Sequence, residues 1–192
     1  MLSEAVVIGV SAGGVNALKV IFSNLSENFK IPVIVVQHLH PHSDAFLPTY
    51  LNSLSQMQVK EAEDKEPICE GTAYIAPANY HLLIEEDRTL SLNTDERVNY
   101  SRPSIDVLFN SAADVYGSKL IGIILTGAND DGVRGMQKIK KLGGLAIVQD
   151  PQTAEADFMP KSVINKVTVD HVAAIDKISV LLENICYKIN QN

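Results

Sequence analysis

Ser11, His38 and the neighbouring pair Asp130 and Asp131 are the side chains whose types and settings could do nucleophilic chemistry together. The serine lies in "GVSAGG", residues 9–14, which fits G-x-S-x-G through Gly9, Ser11 and Gly13. That spacing places a serine on a tight strand-to-helix turn with its hydroxyl exposed. A dinucleotide-binding G-x-G-x-x-G loop counted from Gly9 would need glycine at position 11, and serine stands there. The competing reading of this stretch is a plain turn with Ser11 as a helix cap. The histidine follows the apolar run of "VVQHLHP", residues 35–41, and the carboxylates lie in "TGANDDG", residues 126–132. Acyl transfer needs a nucleophile, a base to take its proton and a carboxylate to orient that base, and these residue types supply all three.

The elements that must position them alternate between strand and helix. Residues 5–10 and 32–37 read as strands, the second almost continuously apolar, as in a parallel strand covered on both faces. Helices are expected over 14–25 and 44–54. Short alternating segments near 57–62, 72–76, 81–85 and 89–93 read as hairpin-like antiparallel strands. The alternation then resumes with helix 104–116, strand 119–125, helix 131–142, strand 144–149, a helical turn over 160–165 and a short strand over 166–170. A final helix carries Ile175, Ile178, Leu182 and Ile185 on one face. This pattern predicts an α/β fold: a doubly wound, mostly parallel sheet with helices on both faces and an antiparallel hairpin insertion. In such sheets the site lies beyond the carboxyl ends of the strands. The first strand delivers Ser11, the second His38, and the strand over 119–125 delivers Asp130 and Asp131, all at one edge of the sheet.

Composition narrows the function classes. The 192 residues suit one domain spanning 1–192, and a formal net charge of −7 without a basic run argues against nucleic acid as a partner. Apolar runs such as "IPVIVV" fall far short of the roughly 20 residues that a membrane helix needs, so no membrane insertion is expected. Cys69 and Cys186 match no metal spacing and read as reduced thiols, consistent with a cytoplasmic location. His38 and His40 form an H-x-H at a strand end, which could hold a metal that activates water. His42 reads as a loop residue, and His81 and His171 as structural ones. Ser104 is expected to cap the helix that follows it, with Asp106 in its first turn. Arg102 is left either to touch substrate or to lie on the surface, and Met159 either lines a pocket or packs in the core.

Seven stretches then carry a resemblance over nearly the whole chain: "IGVSAGG" (8–14), "VVQHLHP" (35–41), "GTAYIAPANYHLLI" (71–84), "SRPSIDVLFNSAA" (101–113), "IILTGANDDGVRGM" (123–136), "GGLAIVQD" (143–150) and "AEADFMPKSVI" (154–164). In this order they resemble the catalytic domain of the chemotaxis protein-glutamate methylesterases, the CheB type. The resemblance implies Ser11 as nucleophile, His38 as base and Asp131, the aspartate directly before glycine, as the orienting carboxylate. Asp130 is then left solvated or as a cap of the following helix. It implies hydrolysis of γ-glutamyl methyl esters on the cytoplasmic domain of methyl-accepting chemoreceptors, with release of methanol, and deamidation of receptor glutamines in some members. No cofactor and no metal are expected. Backbone N–H groups of Ala12 or Gly13 and the loop at Ala128 are the candidates for holding an oxyanion. Two features depart from the family pattern. Asn129 stands where glycine is usual, and asparagine tolerates left-handed backbone. The Ser11 strand begins within a few residues of Met1, so no receiver domain is expected and activity should need no phosphorylation. The alternatives are a metal-dependent hydrolase using His38 and His40, and a catalytically silent receptor-binding module.

Overall fold

The structure, a computed structural model, describes residues 3–39 and 46–187. Seven parallel strands form the main sheet, in the order β3-β4-β2-β1-β7-β8-β9. They are β1 (Ala5–Val10), β2 (Val33–Gln37), β3 (Gln58–Glu61), β4 (Thr72–Ile75), β7 (Leu120–Ile124), β8 (Leu145–Gln149) and β9 (His171–Ala173). A separate antiparallel pair, β5 (His81–Ile84) and β6 (Leu90–Asn93), forms the hairpin.

Strand periodicity sorts side chains between two layers. Val6, Ile8 and Val10 of β1 pack on one face with Leu18 and Phe22 of α1 (Gly14–Asn24), Leu51 of α2 (Phe46–Leu54) and Leu182 of α6 (Ile175–Tyr187). Ala5 and Val7 face the other layer, with Leu108 and Phe109 of α3 (Ile105–Tyr116), Met136 of α4 (Val133–Lys141) and Val163 of α5 (Phe158–Lys166). The hairpin closes this second layer through Leu82, Ile84 and Leu90. Because every β1 residue is buried, the strand reads as an unbroken apolar run, as parallel central strands do.

The doubly wound sheet, both helical layers and the β5–β6 hairpin agree with the expectation from sequence, but three local assignments change. Residues 57–62 and 72–76 do not form a hairpin: β3 pairs parallel with β4, and β4 parallel with β2. All four residues of β4 are buried between neighbours, and four-residue strands are too short for alternation to reveal their direction. The turn expected over 160–165 is a nine-residue helix. The strand expected over 166–170 starts later, at His171, because α5 runs to Lys166 and the Asp170 carboxylate accepts the Ala146 N–H at 2.7 Å, in the place of a ladder bond.

Candidate active site

β1 lies between β2 and β7, so the carboxyl ends of three adjacent strands converge. Pairing continues just past them: the His38 N–H donates to Val10 O at 3.0 Å and the Ser11 N–H to Thr126 O at 2.9 Å. The chain then turns sharply into α1. Gly13 adopts φ 78°, which L side chains rarely take, and a Cβ there would lie 2.6 Å from that of Glu155. The N–H groups of Ala12 and Gly13 have no acceptor among the described residues.

The Ser11 Oγ lies 3.2 Å from His38 Nδ1, and His38 Nε2 lies 2.9 Å from Asp131 Oδ2. The carboxylate can only accept at neutral pH, so Nε2 carries the imidazole proton and Nδ1 turns its lone pair toward the serine. The imidazole is 11% exposed and Asp131 is fully buried.

Asp131 is held by donors on every side. Its Oδ1 accepts from Asn99 Nδ2 at 2.8 Å, Ser104 Oγ at 2.9 Å and the Asp106 N–H at 3.1 Å, while Oδ2 also accepts the Ile105 N–H at 2.7 Å. The carboxylate therefore caps α3 and lies at the positive end of its dipole. Burial acts on this carboxyl most strongly and by itself would raise its pKa. The hydrogen bonds from His38, Asn99 and Ile105, with the His38 charge, outweigh burial and hold the carboxyl below its ordinary range. Asp106 behaves oppositely: burial, reinforced by the Asp131 charge, pushes its carboxyl up against bonds from the Gly135 N–H and Asn99.

The other expected site residues fall as follows. Ser104 occupies the cap position of α3, but its hydroxyl serves Asp131 while Asp131 accepts the helix N–H groups. Asp130 is exposed, with Lys166 Nζ 3.3 Å away, and caps nothing through its side chain. Arg102 directs its guanidinium to Thr94 O, Asp95 O and Asn79 Oδ1 at 2.6–3.2 Å, which anchors a loop. Met159 is fully buried, and its N–H donates to Gly127 O at 2.9 Å. Ala128 is exposed in the loop before Asp131. His81 is buried between Glu96 O and the Ser104 N–H. His40 and His42 lie outside the described residues. Both ring nitrogens of His38 are engaged by Ser11 and Asp131, and no cluster of three or more metal-ligating side chains occurs among the described residues.

Two residues with positioning contacts went unread in the sequence. Asn99, in left-handed backbone at φ 50°, bridges Asp106 and Asp131. Gln37, 3% exposed, donates from Nε2 to both Ser11 O and His38 O at 2.9 Å. Its Oε1 has no hydrogen-bond donor among the described residues, and the Cβ position at Gly14 lies 1.9 Å from it, so a glycine Cα–H faces that oxygen. A polar residue ending an apolar strand was the available signal. Gln37→Leu should cost about 1–3 kcal/mol, chiefly by leaving His38 O unpaired. It should lower turnover by roughly 10²-fold through misplacement of the histidine, with KM little changed. Thermal unfolding and steady-state kinetics of the variant check both numbers.

A serine, an imidazole and a buried carboxylate in hydrogen-bonded series at the ends of a doubly wound sheet define the arrangement of an α/β serine hydrolase. The sequence model of the family described as CheB methylesterase matches residues 6–182. The chain belongs to this family. A Leptospira interrogans protein, provisionally named protein-glutamate methylesterase/protein-glutamine glutaminase, is 56% identical over 178 residues, covering 93% of this chain and 92% of that one. The Thermotoga maritima protein-glutamate methylesterase/protein-glutamine glutaminase is 41% identical over 178 residues, 91% of this chain but 52% of the relative, so the chain spans about half of that protein's length. The crystal structure of the Thermotoga maritima CheB methylesterase catalytic domain superposes with a TM-score of 0.92 at 39% identity, covering 96% of this chain and all of that one.

Proposed function

We propose that this chain is a protein-glutamate methylesterase that hydrolyses γ-glutamyl methyl esters on the cytoplasmic domain of chemoreceptors, and that residues 1–192 act as one catalytic domain. The observation that carries the reading is the Ser11–His38–Asp131 series, with contacts of 3.2 and 2.9 Å. His38 Nδ1 takes the Ser11 proton as Oγ bonds to the ester carbonyl carbon. The resulting oxyanion is met by backbone N–H groups, for which the candidates are Ala12 and Gly13, whose N–H groups have no acceptor among the described residues. The imidazolium, oriented and stabilised by Asp131, then protonates the departing methoxide, and methanol leaves an acyl-enzyme. Water repeats the sequence, restoring Ser11 and releasing the glutamate carboxylate.

The same acyl-enzyme forms from a glutamine side chain with ammonia as leaving group, and the relatives' names pair the two activities. Deamidation of receptor glutamines is therefore included in the proposal. No helix among the described residues is long and apolar enough to cross a membrane.

The test is methanol release from a methylated receptor, with mass-spectrometric mapping of the residue labelled by a fluorophosphonate. Release of stoichiometric methanol with the label on Ser11 is expected. No release and no label would favour the silent binding module. Release abolished by a chelator, with Ser11 unlabelled, would favour the metal-dependent route.

A further inference from the structure

We infer that the side-chain amide of Asn129 is a catalytic residue that donates a hydrogen bond to the oxyanion formed on Ser11. This rests on the proposed serine mechanism and adds a donor to its backbone N–H groups. The loop bearing Asn129 lies directly against the nucleophile: a Cβ at Gly127 would lie 3.0 Å from the Ser11 Cβ. The orientation of the Asn129 amide is fixed by chemistry. Its Oδ1 accepts the Asp131 N–H at 3.2 Å, and an N–H can only be met by the oxygen end. The NH2 end must therefore face the site, where Nδ2 stands 3.4 Å from His38 Nδ1.

At rest, Asn129 Nδ2 and Ser11 Oγ thus converge on one lone pair. That contact cannot survive the chemical step. When the Ser11 proton moves to Nδ1, the nitrogen becomes a donor, and two N–H groups face each other. In the same step the Oγ–carbon bond forms and the carbonyl π pair becomes the negative charge on oxygen. The amide loses its acceptor as a stronger one appears beside it. A donor released in this way favours the tetrahedral state over the ground state, which is what raises turnover and not affinity. Asn129 is half-buried, and its neighbour in sequence, Ala128, is exposed, as is Ala12 next to the nucleophile.

The test compares the full chain with Asn129→Ala and Asn129→Asp. Alanine removes both ends of the amide; aspartate keeps an acceptor for the Asp131 N–H but no donor. Two rates are read: phosphonylation of Ser11 by a fluorophosphonate, whose P–O oxygen takes the oxyanion position, and kcat for methanol release. Both variants are expected to lose roughly 10²–10³-fold in each rate, with KM within a few-fold of wild type. Either variant retaining more than a tenth of the wild-type phosphonylation rate overturns the proposal, and recovery in Asn129→Asp alone would assign the residue to holding the Asp131 N–H. If wild-type protein is phosphonylated on Ser11 but releases no methanol, the methylesterase reading fails while the labelling rates still decide the role of Asn129. Absence of labelling in wild type overturns both.

Discussion

Ser11→Ala should lower methanol release by roughly 10⁶-fold, about 8 kcal/mol of barrier, while leaving the fold as stable as before. The rate falls because the proposed acyl-enzyme forms on the hydroxyl that is removed. Stability holds because the residue's structural bonds are all made by its backbone: its N–H donates to Thr126 O, and its carbonyl accepts from the Gly14 N–H and Gln37 Nε2. Among the described residues, the deleted hydroxyl has a hydrogen-bond contact with a partly exposed imidazole alone. The melting temperature should stay within the range of a neutral surface change, about 0.5 kcal/mol. A variant retaining a hundredth of the wild-type kcat would mean that another nucleophile does the work.

Asp131→Asn should lower kcat by roughly 10⁴-fold, about 5 kcal/mol, because an amide NH2 facing Nε2 would stabilise the wrong tautomer of His38. This variant, unlike the serine one, should also be less stable. Among the described residues, every hydrogen-bond partner of the carboxylate donates to it: Asn99, Ser104, the N–H groups of Ile105 and Asp106, and His38. An NH2 placed anywhere among them leaves two donors opposed, costing about 1–3 kcal/mol, or about 2–4 °C of Tm for each kcal/mol. Asp130→Asn should change kcat by no more than a few-fold, since that carboxylate is exposed beside Lys166.

Acid supplies a further check on Asp131. The native carboxyl lies below its unfolded value, so its contribution to stability is present above the ordinary carboxylate range and disappears as pH falls through the native value. The Tm gap between wild type and Asp131→Asn should therefore narrow in acid. Asp106, whose carboxyl is raised, acts in the other direction: its contribution declines as pH rises from the ordinary value through the native one.

What the sequence reveals of this molecule depends on how far the relevant physics extends along the chain. β1, β2 and β7 are apolar runs buried on both faces, and that pattern is local, so the residues they deliver could be picked out before any contact was known. Gln37 is different. Its amide matters because β2 lies beside β1, and adjacency belongs to the sheet, not to the strand. Asn99 reaches Asp131 across 32 residues from a turn whose left-handed backbone has no glycine to announce it. Ser104 illustrates a partial reading. Its place at the start of α3 followed from residue type, whereas its hydroxyl points to a carboxylate that tertiary structure brings in. Direction was lost in β3 and β4 for a related reason: a four-residue strand records burial but not the neighbour that causes it.

The strand order also governs when the protein can become an enzyme. Ser11 and His38 are 27 residues apart, on the adjacent strands β1 and β2. Asp131 is 93 residues beyond His38 and reaches it only when β7 docks on the opposite edge of β1. A nascent chain emerging from the ribosome thus carries Ser11 and His38 well before Asp131, the group that orients the histidine, has been added. The same docking supplies the α3 cap, so the helix covering that layer and the last member of the site mature together. Recovery of esterase activity after denaturation is consequently expected to require the joining of β7 to β1.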